Sequence, residues 1–294
     1  MSEVSVRPDP AMPGALDGVP RCRYGTVEDF EIERFLDGIG AFAGAGANVI
    51  VQLANRPVGY GVVESTVDSG RADVHPWKRL RTTLTYIAVA MLGTEDDRDV
   101  YRQAVGTVHR RVRSAPGAEV RYNAFDPELQ KWVAVCLCWG VIDMHERLYG
   151  PLDKATKEVF VQYAARFGTG LQMKADMWPA DLAEFDSYFE SGLASMQIDD
   201  VVAEYLRKLV GLRNVPRPRL LASFHRFAVT GLLPAPMRAQ LYLPWTDEQE
   251  RRHRLMFRGI GAVYGRLPVR ARMFPYSTVL GDMRRRHRRG RALV

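Results

Sequence analysis

Six histidines, at positions 75, 109, 145, 225, 253 and 287, bound the metal and proton chemistry this chain can offer. No HExxH pair exists to hold zinc. A carboxylate-bridged di-iron site needs two Glu-x-x-His pairs on facing helices and finds only Glu250 with His253, in a charged, surface-like stretch. The three cysteines, Cys22, Cys136 and Cys138, have no CxxC spacing, which speaks against structural zinc and iron–sulfur ligation. Cys136 and Cys138 sit in an apolar helical run and read as reduced, buried thiols. There is no GxGxxG after a strand, no Walker-type loop and no GxSxG elbow. What remains is His109, bordering an apolar helical stripe, and the pair Arg79 and Thr83, spaced i, i+4 so that both face the same way. An inward arginine and hydroxyl need polar partners, because an unpaired buried charge is costly. A cofactor carboxylate or a polarised oxygen species would satisfy them. Alternatively Arg79 reaches solvent or pairs with a protein carboxylate, and His109 is a hydrogen-bonded core histidine. The residue types alone leave both readings open.

The elements that must position these groups read as helices throughout. Thr26 with Glu28 and Asp29 opens one, and GIGAFAGAGANVIVQLAN continues it as a buried segment whose small residues allow close backbone packing. Pro57 and Gly59 interrupt the pattern before VVES. Pro76 opens WKRLRTTLTYIAVAMLG, apolar on two faces, and Gly93 ends it. Thr94, followed by Glu95, Asp96 and Asp97, caps a helix over 95–114 in which Tyr101, Val105, Val108 and Val112 form an inward stripe bordered by His109. Asp126-Pro127-Glu128 starts a helix to Leu148 with Trp132, Val135, Cys136 and Trp139 buried, stopped by Gly150-Pro151. Further helices are expected at 153–167, 180–195, 198–212, 216–230, 234–241 and 246–265. No segment alternates as a sheet requires, so the fold class is all-α, a single-domain multi-helix bundle.

Composition sets the outer limits. With 294 residues and 47% hydrophobic content the chain can bury a large core. The net charge of +7 is localised: the last 14 residues hold six arginines against Asp282 and carry +5 of it, leaving a nearly neutral body. The expected organisation is a poorly ordered arm over 1–26, a helical domain over 27–281 and an Arg-rich tail over 282–294. The tail reads first as solvated and second as a peripheral contact with an anionic membrane surface or nucleic acid, with no specific nucleic-acid partner expected. The first residues lack a basic start followed by an apolar run, and the apolar segments near 84–92 and 132–142 are shorter than a membrane span, so a cytoplasmic location is expected.

Taken in order, NVIVQLANRPVGYGVVES, WKRLRTTLTYIAVAMLGT, AVGTVHRRVR, YNAFDPELQKWV, ERLYGPL and WPADLAEFDSYF resemble the family containing latex-clearing protein (rubber oxygenase) and the mycophenolic-acid-pathway oxygenase. GLLPAPMRAQLYLPW and YGRLP extend the resemblance over about 38–280. It implies an all-helical fold enclosing b-type haem, with His109 as the proximal iron ligand and Arg79 and Thr83 lining the distal or propionate region. It further implies an oxygenase that uses dioxygen on an apolar, isoprenoid-like small molecule. By the same resemblance Glu64, 15 residues before Arg79, is a candidate distal acid/base. The chain also departs from the pattern. Thr82 stands where some members place a lysine that ligates iron, many relatives read AHP in place of Asn55-Arg56-Pro57, and many read WVHA in place of Trp132-Val133-Ala134-Val135. Two alternatives therefore stand beside the oxygenase: a non-catalytic haem-binding or sensing protein of the same fold, and a cofactor-free helical scaffold with a basic tail that binds membrane or nucleic acid.

Overall fold

The longest apolar run becomes the axis of the structure, a computed structural model that describes residues 27, 30–65, 67, 73–213 and 219–294. Helix α6 (Pro127–Tyr149) begins where the Asp126 carboxylate accepts the Glu128 N–H at 2.9 Å and Pro127 supplies a preset first turn. It ends at Gly150, whose φ of +105° an L side chain rarely adopts. Trp132 and every residue from Ala134 to Cys138 are buried, so this helix is enclosed nearly all round. Two helices flank it: α2 (Gly38–Leu53), which follows the short α1 (Ile32–Phe35), and α13 (Asp247–Tyr264). The approach of α2 depends on small residues. A Cβ at Gly44 would lie 2.8 Å from the Met144 side chain, and one at Gly140 would collide with the Asn48 amide.

The remaining order is α3 (Arg56–Val63), α4 (Pro76–Leu92), α5 (Glu95–His109), then after α6 α7 (Lys154–Tyr163), α8 (Arg166–Thr169), α9 (Leu182–Ser195), α10 (Asp200–Val210), α11 (Arg219–Leu232), α12 (Ala235–Gln240), α13, α14 (Val269–Arg272) and α15 (Tyr276–Arg288). The all-α expectation holds: among the described residues the only β pairing is a single antiparallel bridge between Arg113 and Asn123. A buried ion pair, Arg272 Nη1 to Asp37 Oδ1 at 3.0 Å, ties the start of α2 to α14.

Several local expectations need correction. Pro57 does not break the chain. It occupies the first turn of α3, which Asn55 caps by accepting the Val58 N–H. Helix α5 stops at His109 rather than 114, because the chain folds back so that Ala124 N–H bonds to Val112 O at 2.9 Å. The stretch around Glu250 and His253 is a surface one at Arg251, Arg252 and Arg254, but the His253 ring turns inward and is wholly buried, with Nε2 bonded to Ala228 O at 2.9 Å. The arginine run is not a free tail either. Arg284, Arg285, Arg286 and Arg288 lie on α15, which packs along α4 with Met283 buried. Arg284 makes a two-pronged ion pair with Asp97, and the chain beyond the helix returns to bury Leu293. The expected arm over 1–26, with Cys22, and the helix start at Thr26, Glu28 and Asp29 lie outside the described residues.

Candidate functional site

Helix α4 carries Arg79 and Thr83 because Pro76 fixes its first turn and Gly93 closes it, and one turn of helix puts both side chains on the same wall. Helix α5 is started by a reciprocal capping box in which Thr94 and Asp97 satisfy each other's backbone N–H groups. Its last residue is His109. Between these two helices, α3, and the first turns of α6 lies a cavity with about 230 Å³ of interior space, or about 1230 Å³ counting its mouth. Arg79, Thr83 and His109 all line it. Tyr101, Val105, Val108 and Val112 line it too. The stripe expected to fill a solid core therefore walls a chamber, with Leu129, Val133 and Phe167 among its other apolar faces.

The polar groups in this chamber divide into committed and uncommitted ones. Tyr101 donates its hydroxyl to Thr82 O at 3.0 Å, and Tyr86 donates to Phe167 O. The Thr82 hydroxyl donates to Arg79 O at 3.0 Å. Burial pushes the Tyr101 phenol up to about 12, so it stays a neutral donor. His109 is different. Neither of its ring nitrogens hydrogen-bonds a described residue, and Nδ1 is completely enclosed. Burial, and secondarily the Arg79 charge, push its pKa down to about 4, which keeps the ring neutral with a free lone pair. Arg79 is half-buried and has no ion-pair or hydrogen-bond partner for its guanidinium among the described residues. Burial lowers its pKa, yet an arginine remains charged. The chamber thus holds a neutral histidine and a cation, both without hydrogen-bond or ion-pair partners among the described residues, between largely apolar walls.

Glu64 does not join them. It is exposed at the end of α3 and its carboxylate accepts the Tyr122 hydroxyl at 2.9 Å, so it touches the chamber only through Tyr122, which does line it. Among the described residues no Asp or Glu side chain lines the chamber. Of the positions that depart from the family pattern, Thr82 is a lining residue, whereas Asn55 caps α3 and Ala134 lies wholly buried in the core without lining the chamber. The last residue, Val294, also lines the chamber, and Arg81 Nη1 bonds to Leu293 O at 3.4 Å beside it. That contribution was not readable from a basic terminal run. Nor were Tyr86 and Tyr101 as polar lining groups, although Tyr101 sits on the stripe that the spacing did mark.

A second cavity, with about 70 Å³ of interior space, lies between α2, α4 and α6. Thr83 lines it as well and so stands between the two. Small residues of α2, Gly40, Ala41, Gly44 and Ala45, make one wall, and His145 of α6 contributes to another. Among the described residues no group of three or more His, Cys, Asp or Glu side chains could hold a metal ion. No helix among them is long and apolar enough to cross a membrane.

Comparison with known proteins gives the family. The family described as "ER-bound oxygenase mpaB/B'/Rubber oxygenase, catalytic domain" matches residues 32–263. An uncharacterised protein of Mycobacterium tuberculosis, Rv2237, is 48% identical over 250 residues, covering 84% of this chain and 98% of that protein. The Mycobacterium bovis protein Mb2261 matches to the same extent. No solved structure matches the chain.

Proposed function

The chain belongs to the mpaB and rubber-oxygenase catalytic-domain family, and on that premise we propose that it is a haem-b-dependent oxygenase that uses dioxygen on an apolar, isoprenoid-like small molecule. The observation that carries the reading is the His109 ring, neutral and without a hydrogen-bond partner at either nitrogen among the described residues, on the wall of a largely apolar chamber that also holds an Arg79 guanidinium with no partner among them. Buried polar groups are nearly always satisfied, so two uncommitted ones facing one space call for a ligand that is not part of the chain. Haem b fits both. Its iron would take the free imidazole lone pair of His109, and its propionates match the Arg79 guanidinium.

Haem, when bound, supplies the dioxygen chemistry at its iron. The protein's own residues do the rest. His109 anchors the iron and needs no proton loss near neutral pH to do so. Arg79 binds and orients a propionate. The Thr83 hydroxyl, for which no protein partner is found among the described residues, offers a hydrogen bond into the chamber or into the adjoining cavity. Val105, Val108, Val133 and Phe167 keep water out and give an apolar substrate its contact area. One feature favours the second reading, a haem-binding protein without turnover: the carboxylate expected as acid/base, Glu64, lies outside the chamber and reaches it only through Tyr122.

Reconstitution with haemin tests the proposal. A Soret band that is lost in His109→Ala is the expected result. No band, or one indifferent to that substitution, overturns it. Oxygen consumption with isoprenoid alkenes then separates oxygenase from haem-binding protein, with turnover in the wild type and its loss in Arg79→Ala expected of the former.

A further inference from the structure

The cavity between α2, α4 and α6 contains polar groups that the haem reading leaves unused. His145 is 8% exposed and stacks on Phe35, ring centroids 4.5 Å apart. Its Nδ1 lies 3.3 Å from Phe35 O, and a carbonyl can only accept, so Nδ1 carries the proton. Nε2 is then a bare acceptor. Burial pushes the ring's pKa down to about 4, so Nε2 stays unprotonated near neutrality. It has no hydrogen-bond partner among the described residues, and His145 lines this cavity. Tyr276, 2% exposed, lines the same cavity, and no described residue hydrogen-bonds its hydroxyl. Of the other polar groups there, Asp37 pairs with Arg272 through Oδ1, Asn48 donates to Cys136 O while accepting from Gln52, and the Thr83 hydroxyl, without a partner among the described residues, sits at the border with the chamber. The remaining walls are apolar or small.

An acceptor and a hydroxyl, both buried and both free, are complementary to one kind of group: a hydroxyl, which donates once and accepts once. We propose that this cavity binds the hydroxyl end of an apolar alcohol, the ligand donating to His145 Nε2 and accepting from Tyr276, with its hydrocarbon skeleton running along the small residues of α2. Thr83, which lines both cavities, places that skeleton beside the chamber of His109 and Arg79. The proposal rests on the oxygenase reading only in taking this alcohol as the substrate. The binding itself needs no haem.

Calorimetric titration of the purified chain, with and without haem loaded, tests it with geraniol and its methyl ether as probes. They share one skeleton and differ in the hydrogen-bond donor. A site built to hydrogen-bond a hydroxyl discriminates against the analogue lacking it, so the alcohol should bind at least about tenfold tighter. In His145→Asn the amide nitrogen keeps the bond to Phe35 O while Nε2 is removed, and the preference should shrink to within about twofold. Ala45→Leu, which fills the cavity from α2 without disturbing either polar group, should weaken both probes. Equal affinity of the two probes for the wild type, the result if a water stays on Nε2, overturns the proposal. So does a preference that survives both His145→Asn and Ala45→Leu, since binding would then lie elsewhere. If His145→Asn does not fold, Tyr276→Phe and Ala45→Leu decide. A missing Soret band would refute the haem reading and leave the alcohol preference measurable.

Discussion

Replacing Arg79 by methionine should make the haem-free protein more stable and the haem-loaded protein worse at keeping its cofactor. The two effects have one cause. In the free chain the guanidinium is half-buried beside apolar walls with no carboxylate partner among the described residues, and burial depresses its pKa. Removing one member of a fully buried ion pair typically costs about 3–5 kcal/mol because the other charge is stranded; Arg79 is already in that stranded condition, relieved by partial access to solvent. Methionine, similar in length and uncharged, should recover about 1–2 kcal/mol, or a rise of about 2–8 °C in the apo melting temperature at the usual conversion for domains of this class. With haem bound the sign reverses, since a charge-assisted hydrogen bond to a propionate is worth about 1.5–3 kcal/mol, or roughly 10- to 150-fold in affinity. Calorimetric melting of the apo variant, with haem transfer to an acceptor globin followed by its Soret band, measures both. An apo Arg79→Met that melts lower than wild type would refute the reasoning, because Arg79 would then be making a structural contact.

The pKa of His109 gives the pH dependence. The folded value of about 4 lies below the ordinary imidazole value of 6.5, so the unfolded chain binds the extra proton between them, and stability should rise with pH across 4 to 6.5. Haem affinity, read from the Soret band in titrations at a series of pH values, should accordingly be level above about 4 and weaken only below it; weakening that already begins near 6.5 would mean the ring is not desolvated. Asp37→Asn alone strands Arg272 and should destabilise by about 3–5 kcal/mol, whereas Asp37→Leu with Arg272→Met should cost far less in denaturant melts. Deleting residues 292–294 removes Leu293 and Val294 from beside the chamber, and should speed haem loss without shifting the wavelength of the Soret maximum.

Much of this arrangement was readable in the residues because it is local. Helix α4 is bounded by Pro76 and Gly93, α5 begins at a capping box, and α6 runs from Asp126 to Gly150; each boundary is set by backbone chemistry within a few residues. Arg79 and Thr83 share a wall because i, i+4 spacing on any helix makes them do so. What escaped was whatever depends on the other side of a contact. Pro57 reads equally as a breaker and as a first-turn residue, and only the Asn55 cap decides. A stripe of Val105, Val108 and Val112 has the same spelling whether it meets side chains or empty space, so a chamber and a solid core cannot be told apart by periodicity.

The terminal arginines show the same limit in a sharper form. Charge density argues for a solvated run, and the guanidinium groups are indeed mostly exposed. Yet the backbone that bears them is helical, because every third or fourth position, Tyr276, Leu280 and Met283, is apolar and buried against the rest of the fold. The chain can then continue past Arg291 to bury Leu293 and set Val294 at the chamber wall. A segment that composition assigns to solvent thus contributes to the site. His109 was the opposite case: its type and place on α5 were enough to nominate it, but the role proposed for it rests on the lack of a partner among the described residues, which depends on every element around it.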